Sequence, residues 1–266
     1  MNRLIPGLLM AALWVLLLYV APPLIFWFVM TVGAAAALHE FFRMAVKTPG
    51  SGVRVLAIAA SLSPVLAAYA GTPAAVLTGS YLALLGLALL VIFFYTAFAD
   101  PLAFLLNAGF SVFYVSLCCG FIVLLRGLSD DGSHWLLILT AITAGSDTGA
   151  YYAGRAFGKR KLCPPVSPKK TVNGAIGGLL AAVASAVLLC CVLLPEVSCL
   201  KMAVAALLLA AVGIVGDLLE SVIKRGTGCK DSGTMLKGHG GLLDRADSLL
   251  FAAPLLYVLL LWKFFV

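Results

Sequence analysis

The feature that most constrains this chain is a succession of apolar runs, each close to the length that carries a helix across a lipid bilayer. A hydrocarbon core about 30 Å thick needs about 20 apolar residues wound as a helix. Runs of that kind occupy residues 4–20, 24–44 and 55–70; a fourth ends at Ala99, a fifth continues to Leu125, and a sixth opens at His134-Trp135. The last three cover 176–194, 202–219 and 248–262. With 63% hydrophobic and 11% charged residues and a mean hydropathy of +1.10, the composition excludes a soluble globular domain. The runs predict an all-α, polytopic membrane protein with about nine transmembrane helices.

The breaks between runs carry turn chemistry: Pro22-Pro23, Gly71-Thr72-Pro73 and Asp100-Pro101. The first run lacks a small-residue cleavage site, so it reads as a first span rather than a cleaved signal. Basic residues then orient the chain. With the N-terminus inside, fifteen of the 18 Lys and Arg fall on the inner side, against Arg126, Lys201 and Lys263 outside. Cytoplasmic loops collect basic residues, so nine spans place the N-terminus in the cytoplasm and the C-terminus outside. The net charge of +7 therefore reports topology and phosphate chemistry, not nucleic acid. Residues 1–130 form five spans given mainly to packing, and residues 131–266 form the four that carry chemistry. Glu40, the single acid among the first 99 residues, is expected to pair with Arg43.

Charge is concentrated in residues 216–247, which hold five of the 11 carboxylates and five of the 18 basic residues, with His239. On a helix Asp217, Glu220, Ser221 and Lys224 share one face. Asp244 and Asp247 share another if a helix starts after the Gly240-Gly241 turn. Depth separates these acids from a solvated loop. From Lys201 to Asp217 a helix rises only ~24 Å, and from Trp262 back to Asp247 only ~22 Å, so both acids lie below the lipid surface. A carboxylate there is costly unless paired or bound to metal. Carboxylates at two helix ends, with lysines and glycines between, suit Mg²⁺ carrying a phosphate.

Asp147 lies 12 residues after Trp135, again at membrane depth. A basic loop follows, with Arg155, Lys159, Arg160, Lys161, Lys169 and Lys170 among prolines and glycines. That composition suits an anion site, although cytoplasmic topology alone would also collect lysines there. Residues 154–159 are one residue short of a phosphate-binding P-loop and follow no strand, so that motif is set aside.

Ser221-x-x-Lys224-Arg225, Lys230-Asp231 and His239-Gly240-Gly241-x-x-Asp244-Arg245-x-Asp247 together resemble the signature of the phosphatidate cytidylyltransferases, or CDP-diacylglycerol synthases. Ser146-Asp147 through Ser167-Pro168-Lys169-Lys170-Thr171 resembles the same family's upstream hallmark. Lys237, Ala246 and Asn173 depart from the family pattern. The resemblance implies transfer of a cytidylyl group from CTP to phosphatidic acid at the cytoplasmic face of a bacterial inner (plasma) membrane, among membrane lipids. It implies Mg²⁺, with a second cation and a homodimer left open. Its expected metal ligands are Asp217, Asp244 and Asp247. Lys224 and Arg225 are expected on phosphates, and Lys169 and Lys170 on the triphosphate or the lipid phosphate. Ser221, Lys230, Asp231, His239, Arg245 and Asp147 are further substrate-binding candidates, and no residue is assigned to cytosine.

The seven cysteines form no C-x-x-C pair, and Cys229 with His239 finds no further ligands at zinc spacing. Two rivals remain at this level. A transporter of a phosphorylated solute would use the same buried acids for ion coupling, but no inverted repeat is visible. A lipid or polyprenol kinase would differ only in which phosphate of the nucleotide is attacked.

Overall fold

A computed structural model describes residues 4–229, 231–233 and 240–265. Its helices are α1 (Leu4–Tyr19), α2 (Pro23–Ala45), α3 (Ser51–Ser61), α4 (Ser63–Ala67), α5 (Pro73–Phe93), α6 (Pro101–Ser111), α7 (Cys118–Gly127), α8 (Gly132–Phe157), α9 (Val172–Leu193), α10 (Cys199–Gly226) and α11 (Leu243–Leu261). Helix covers most of each expected run. Run three is built from α3, α4 and a 3₁₀ turn at Ala68–Ala70, and run five from α6 and α7 joined through a π-helical stretch at Val112–Leu117. Among the described residues, six helical segments are long and apolar enough to cross a membrane: Pro23–Ala45, Ser51–Ala70, Pro73–Phe93, Pro101–Gly127, Val172–Leu193 and Cys199–Gly226. The protein is therefore a helical integral membrane protein.

The proline breaks become helix starts, because proline at the first helical position lacks only an N–H that has no partner there. Pro23, Pro73 and Pro101 open their helices in this way. The residues before two of them cap: Thr72 accepts from the Ala75 N–H at 3.2 Å, and Asp100 from the Ala103 N–H at 2.9 Å. One element departs from the all-helical expectation. Residues 161–171, expected as a loop, contain a two-stranded antiparallel hairpin, β1 (Lys161–Cys163) and β2 (Ser167–Thr171), pairing Lys161 with Thr171 and Cys163 with Ser167.

The chain forms two compact units: Met1–Asp130 with Thr227–Arg245, and Asp131–Gly226 with Ala246–Val266. In the first, Trp27 donates its indole N–H to the Val65 carbonyl at 2.9 Å, and the exposed Phe110 stacks on the buried Phe41 and Tyr114, which are tilted to each other. In the second, α8 and α9 meet along a seam of small residues. A Cβ added at Gly149 would lie 2.6 Å from the Gly177 carbonyl oxygen, and one at Gly178 would lie 2.7 Å from that of Ser146. Helices in lipid gain attraction by such backbone approach. Helix α10 meets α11 in the same manner, since a Cβ at Gly216 would lie 2.7 Å from the Phe251 Cβ.

Candidate active site

The contact at Gly216 positions the acids of the second unit. With no side chain at 216, α11 comes close enough that the next residue, Asp217, and Glu220 one turn on both face Asp247. Carboxylate oxygens of Asp217, Glu220 and Asp247 all lie within 4.8 Å of one another. Glu220 is 1% exposed and Asp247 7%. Three carboxylates gathered in apolar surroundings repel one another unless cations compensate them. Part of that compensation is internal: Lys224 donates to Glu220 Oε2 at 2.9 Å, and Lys170 of β2 forms an ion pair with Asp217. The hard oxygen donors fit a hard divalent cation such as Mg²⁺.

Beside this cluster lies a cavity of about 420 Å³ whose walls include Ser146, Asp147, Tyr151, Arg155, Lys169, Lys170, Thr171 and Asp217. The hairpin delivers its lysines. Thr171 ends β2 and caps α9, its hydroxyl accepting from the Gly174 N–H at 3.1 Å. The departing residue Asn173 donates its side-chain amide to the Phe157 carbonyl at 2.7 Å, which ties the end of α8 to the start of α9. Arg225 donates Nε–H to the Val166 carbonyl in the hairpin turn at 3.3 Å, holding the end of α10 to the same hairpin. Asp147 is exposed and lines this cavity. Ser221 is half-buried on α10.

The first unit holds the other signature acids. Asp244 Oδ2 accepts from the Ser232 N–H at 3.0 Å, the Ser232 hydroxyl at 2.9 Å and the Gly241 N–H at 2.8 Å. Gly240 adopts a left-handed φ of 82°, which a side chain would resist. Asp231 and Arg245 are exposed. Lys230, Lys237 and His239 lie outside the described residues.

Two acids acquire places that the sequence reading did not give them. Glu220 joins the cluster; its spacing, three after Asp217 and four before Lys224, carried that signal. Glu40 does not pair with Arg43 as expected. It is 3% exposed and accepts instead from the Leu242 and Leu243 N–H groups, each at 3.1 Å, with the Ser232 hydroxyl oxygen 3.3 Å from its Oε2.

The second unit thus sets clustered carboxylates beside a lysine-lined cavity in a helical membrane protein. Comparison with known proteins makes the class specific: the chain belongs to the cytidylyltransferase family, whose family model matches residues 1–262. It is 40% identical over 147 residues to a phosphatidate cytidylyltransferase of Bacillus subtilis strain 168, covering 55% of each chain. It is 46% identical over 158 residues to one of Brucella suis biovar 1, covering 59% of this chain and 56% of the relative. A Staphylococcus saprophyticus protein of the same name is 40% identical over 151 residues, 57% of each chain. The matched stretch thus spans little more than half the length of these relatives.

Proposed function

We propose that the protein is a nucleotidyltransferase that converts CTP and phosphatidic acid to CDP-diacylglycerol and pyrophosphate in phospholipid synthesis. The observation that carries this reading is the carboxylate trio Asp217, Glu220 and Asp247 next to a cavity with Lys169 and Lys170 in its wall. A phosphate oxygen of the lipid attacks the α-phosphorus of CTP, the bond from that phosphorus to the bridging oxygen breaks, and pyrophosphate leaves. No covalent enzyme intermediate is needed, so catalysis consists of positioning and charge neutralisation.

Asp217, Glu220 and Asp247 are the residues that would hold Mg²⁺, and Asp244 is kept as a candidate ligand on its place in the signature. Bound there, the ion would neutralise charge developing on the phosphoryl oxygens. Lys169 and Lys170 draw a phosphate into the cavity. Arg225 retains guanidinium N–H groups beyond the one on Val166, and with Lys224 it orients a phosphate. Nine crossings with a cytoplasmic N-terminus and an external C-terminus put this site at the cytoplasmic face of a bacterial plasma membrane, where a soluble nucleotide meets a lipid headgroup.

The test is incubation of the purified protein with labelled CTP, Mg²⁺ and phosphatidic acid in lipid. Labelled CDP-diacylglycerol with stoichiometric pyrophosphate is expected. Formation of CDP with a phosphorylated lipid would mark a kinase, and an absence of any covalent product would return the acids to ion coupling.

A further inference from the structure

The geometry points to Glu40 as a positioning residue, one that fixes the start of α11 and with it Asp244. This deepens the transferase reading and rests on it. A buried carboxylate within a spanning helix is costly and persists when its surroundings satisfy it fully. Here the partners come from far along the chain. Glu40 Oε1 accepts from Leu242 N–H and Oε2 from Leu243 N–H, so one side chain of α2 caps the first turn of α11 with both oxygens. The Ser232 hydroxyl stands between two carboxylates, 3.3 Å from Glu40 Oε2 and 2.9 Å from Asp244 Oδ2, and links the cap to the signature acid.

The backbone has been cleared for this carboxylate. A Cβ at Gly233 would collide with Glu40 Oε1, and one at Gly241 would collide with the Ser232 hydroxyl and lie 2.8 Å from the Gly233 nitrogen. Glycine at both positions is what lets the carboxylate reach the amides. Among the described residues Glu40 reaches Asp244 through Ser232 and the turn, so its action on chemistry is indirect.

The experiment compares full-length wild type, Glu40→Gln, Glu40→Asp and Gly233→Ala, purified in detergent with lipid. It reads hydrogen exchange of peptides covering residues 240–245, and kcat and KM for CTP per folded molecule. An amide in place of the carboxylate turns an N–H toward backbone N–H groups. Glu40→Gln should therefore speed exchange in 240–245 about tenfold and lower kcat about tenfold or more, with KM for CTP within about threefold. Gly233→Ala should reproduce both changes, because its Cβ displaces the same carboxylate, and Glu40→Asp should recover part of kcat. Unchanged exchange in both Glu40→Gln and Gly233→Ala overturns the proposal. Faster exchange with unaltered kcat also overturns it, leaving Glu40 a structural cap. A wild type with no transferase activity would sink the functional reading instead, while the exchange measurements still decide whether the cap exists.

Discussion

Lys170 on β2 and Asp217 on α10 form an ion pair, both half-buried in the wall of the same cavity. The pair couples the lysine proposed for phosphate to the acid proposed for Mg²⁺. Lys170→Ala should lower kcat/KM for CTP by about a hundredfold, the scale on which one well-placed charge stabilises a phosphoryl transition state. Lys170→Ala combined with Asp217→Asn should cost far less than the product of the two single effects, because residues acting as a unit are not additive. A double-mutant cycle on kcat/KM measures this.

Asp217→Asn and Asp247→Asn should each nearly abolish turnover while the protein still folds, since each keeps its size and loses one of three clustered charges. Chelation with EDTA should silence the wild type, and added Mg²⁺ should restore it. Glu220→Gln should shift the Mg²⁺ concentration for half-maximal rate upward. Asp244→Asn belongs in the same series: an unaltered Mg²⁺ dependence would remove Asp244 from the ligand set.

Lys224 and Arg225 adjoin in sequence but should fail differently. Lys224 faces Glu220, which is 1% exposed, so Lys224→Ala removes the cation beside a buried carboxylate and should cost roughly 3 kcal/mol of stability. Arg225 is exposed and makes one bond to a backbone carbonyl. Arg225→Ala should leave the melting temperature nearly unchanged and raise KM for CTP or phosphatidic acid. Melting curves beside steady-state kinetics separate the two.

How far the sequence could be read follows from how local each signal was. Helices such as α5 and α9 were legible because every residue of an apolar run contributes, and Pro73 marks the start of α5, whereas the start of α9 at Val172 lies four residues before the run that signalled it. The Asp217, Glu220 and Lys224 face followed from helical spacing alone. The hairpin at 161–171 was not legible, because Lys, Pro and Ser there give no alternation of apolar and polar residues. Glu40 was opaque for a different reason. Its neighbour Arg43 offered a partner one turn away, whereas the groups it bonds lie about 200 residues downstream and are mostly backbone N–H groups, which leave no mark in composition.

Topology can be checked directly. A reporter fused after the last residue should be active only on the outer side, and one inserted in the turn between β1 and β2 only on the cytoplasmic side. Both on one side would exclude the three crossings expected between the hairpin and the C-terminus.

The cap on α11 also bears on how the protein is made. Glu40 and Leu242 are separated by 202 positions. At synthesis rates of about 5–20 residues per second, the acid waits on the order of 10–40 s before its amide partners leave the ribosome. Throughout that interval α2 carries a carboxylate whose final companions do not yet exist. A chain cut short before Leu242 carries neither amide, so in it the start of α11 and its cap on Glu40 cannot form.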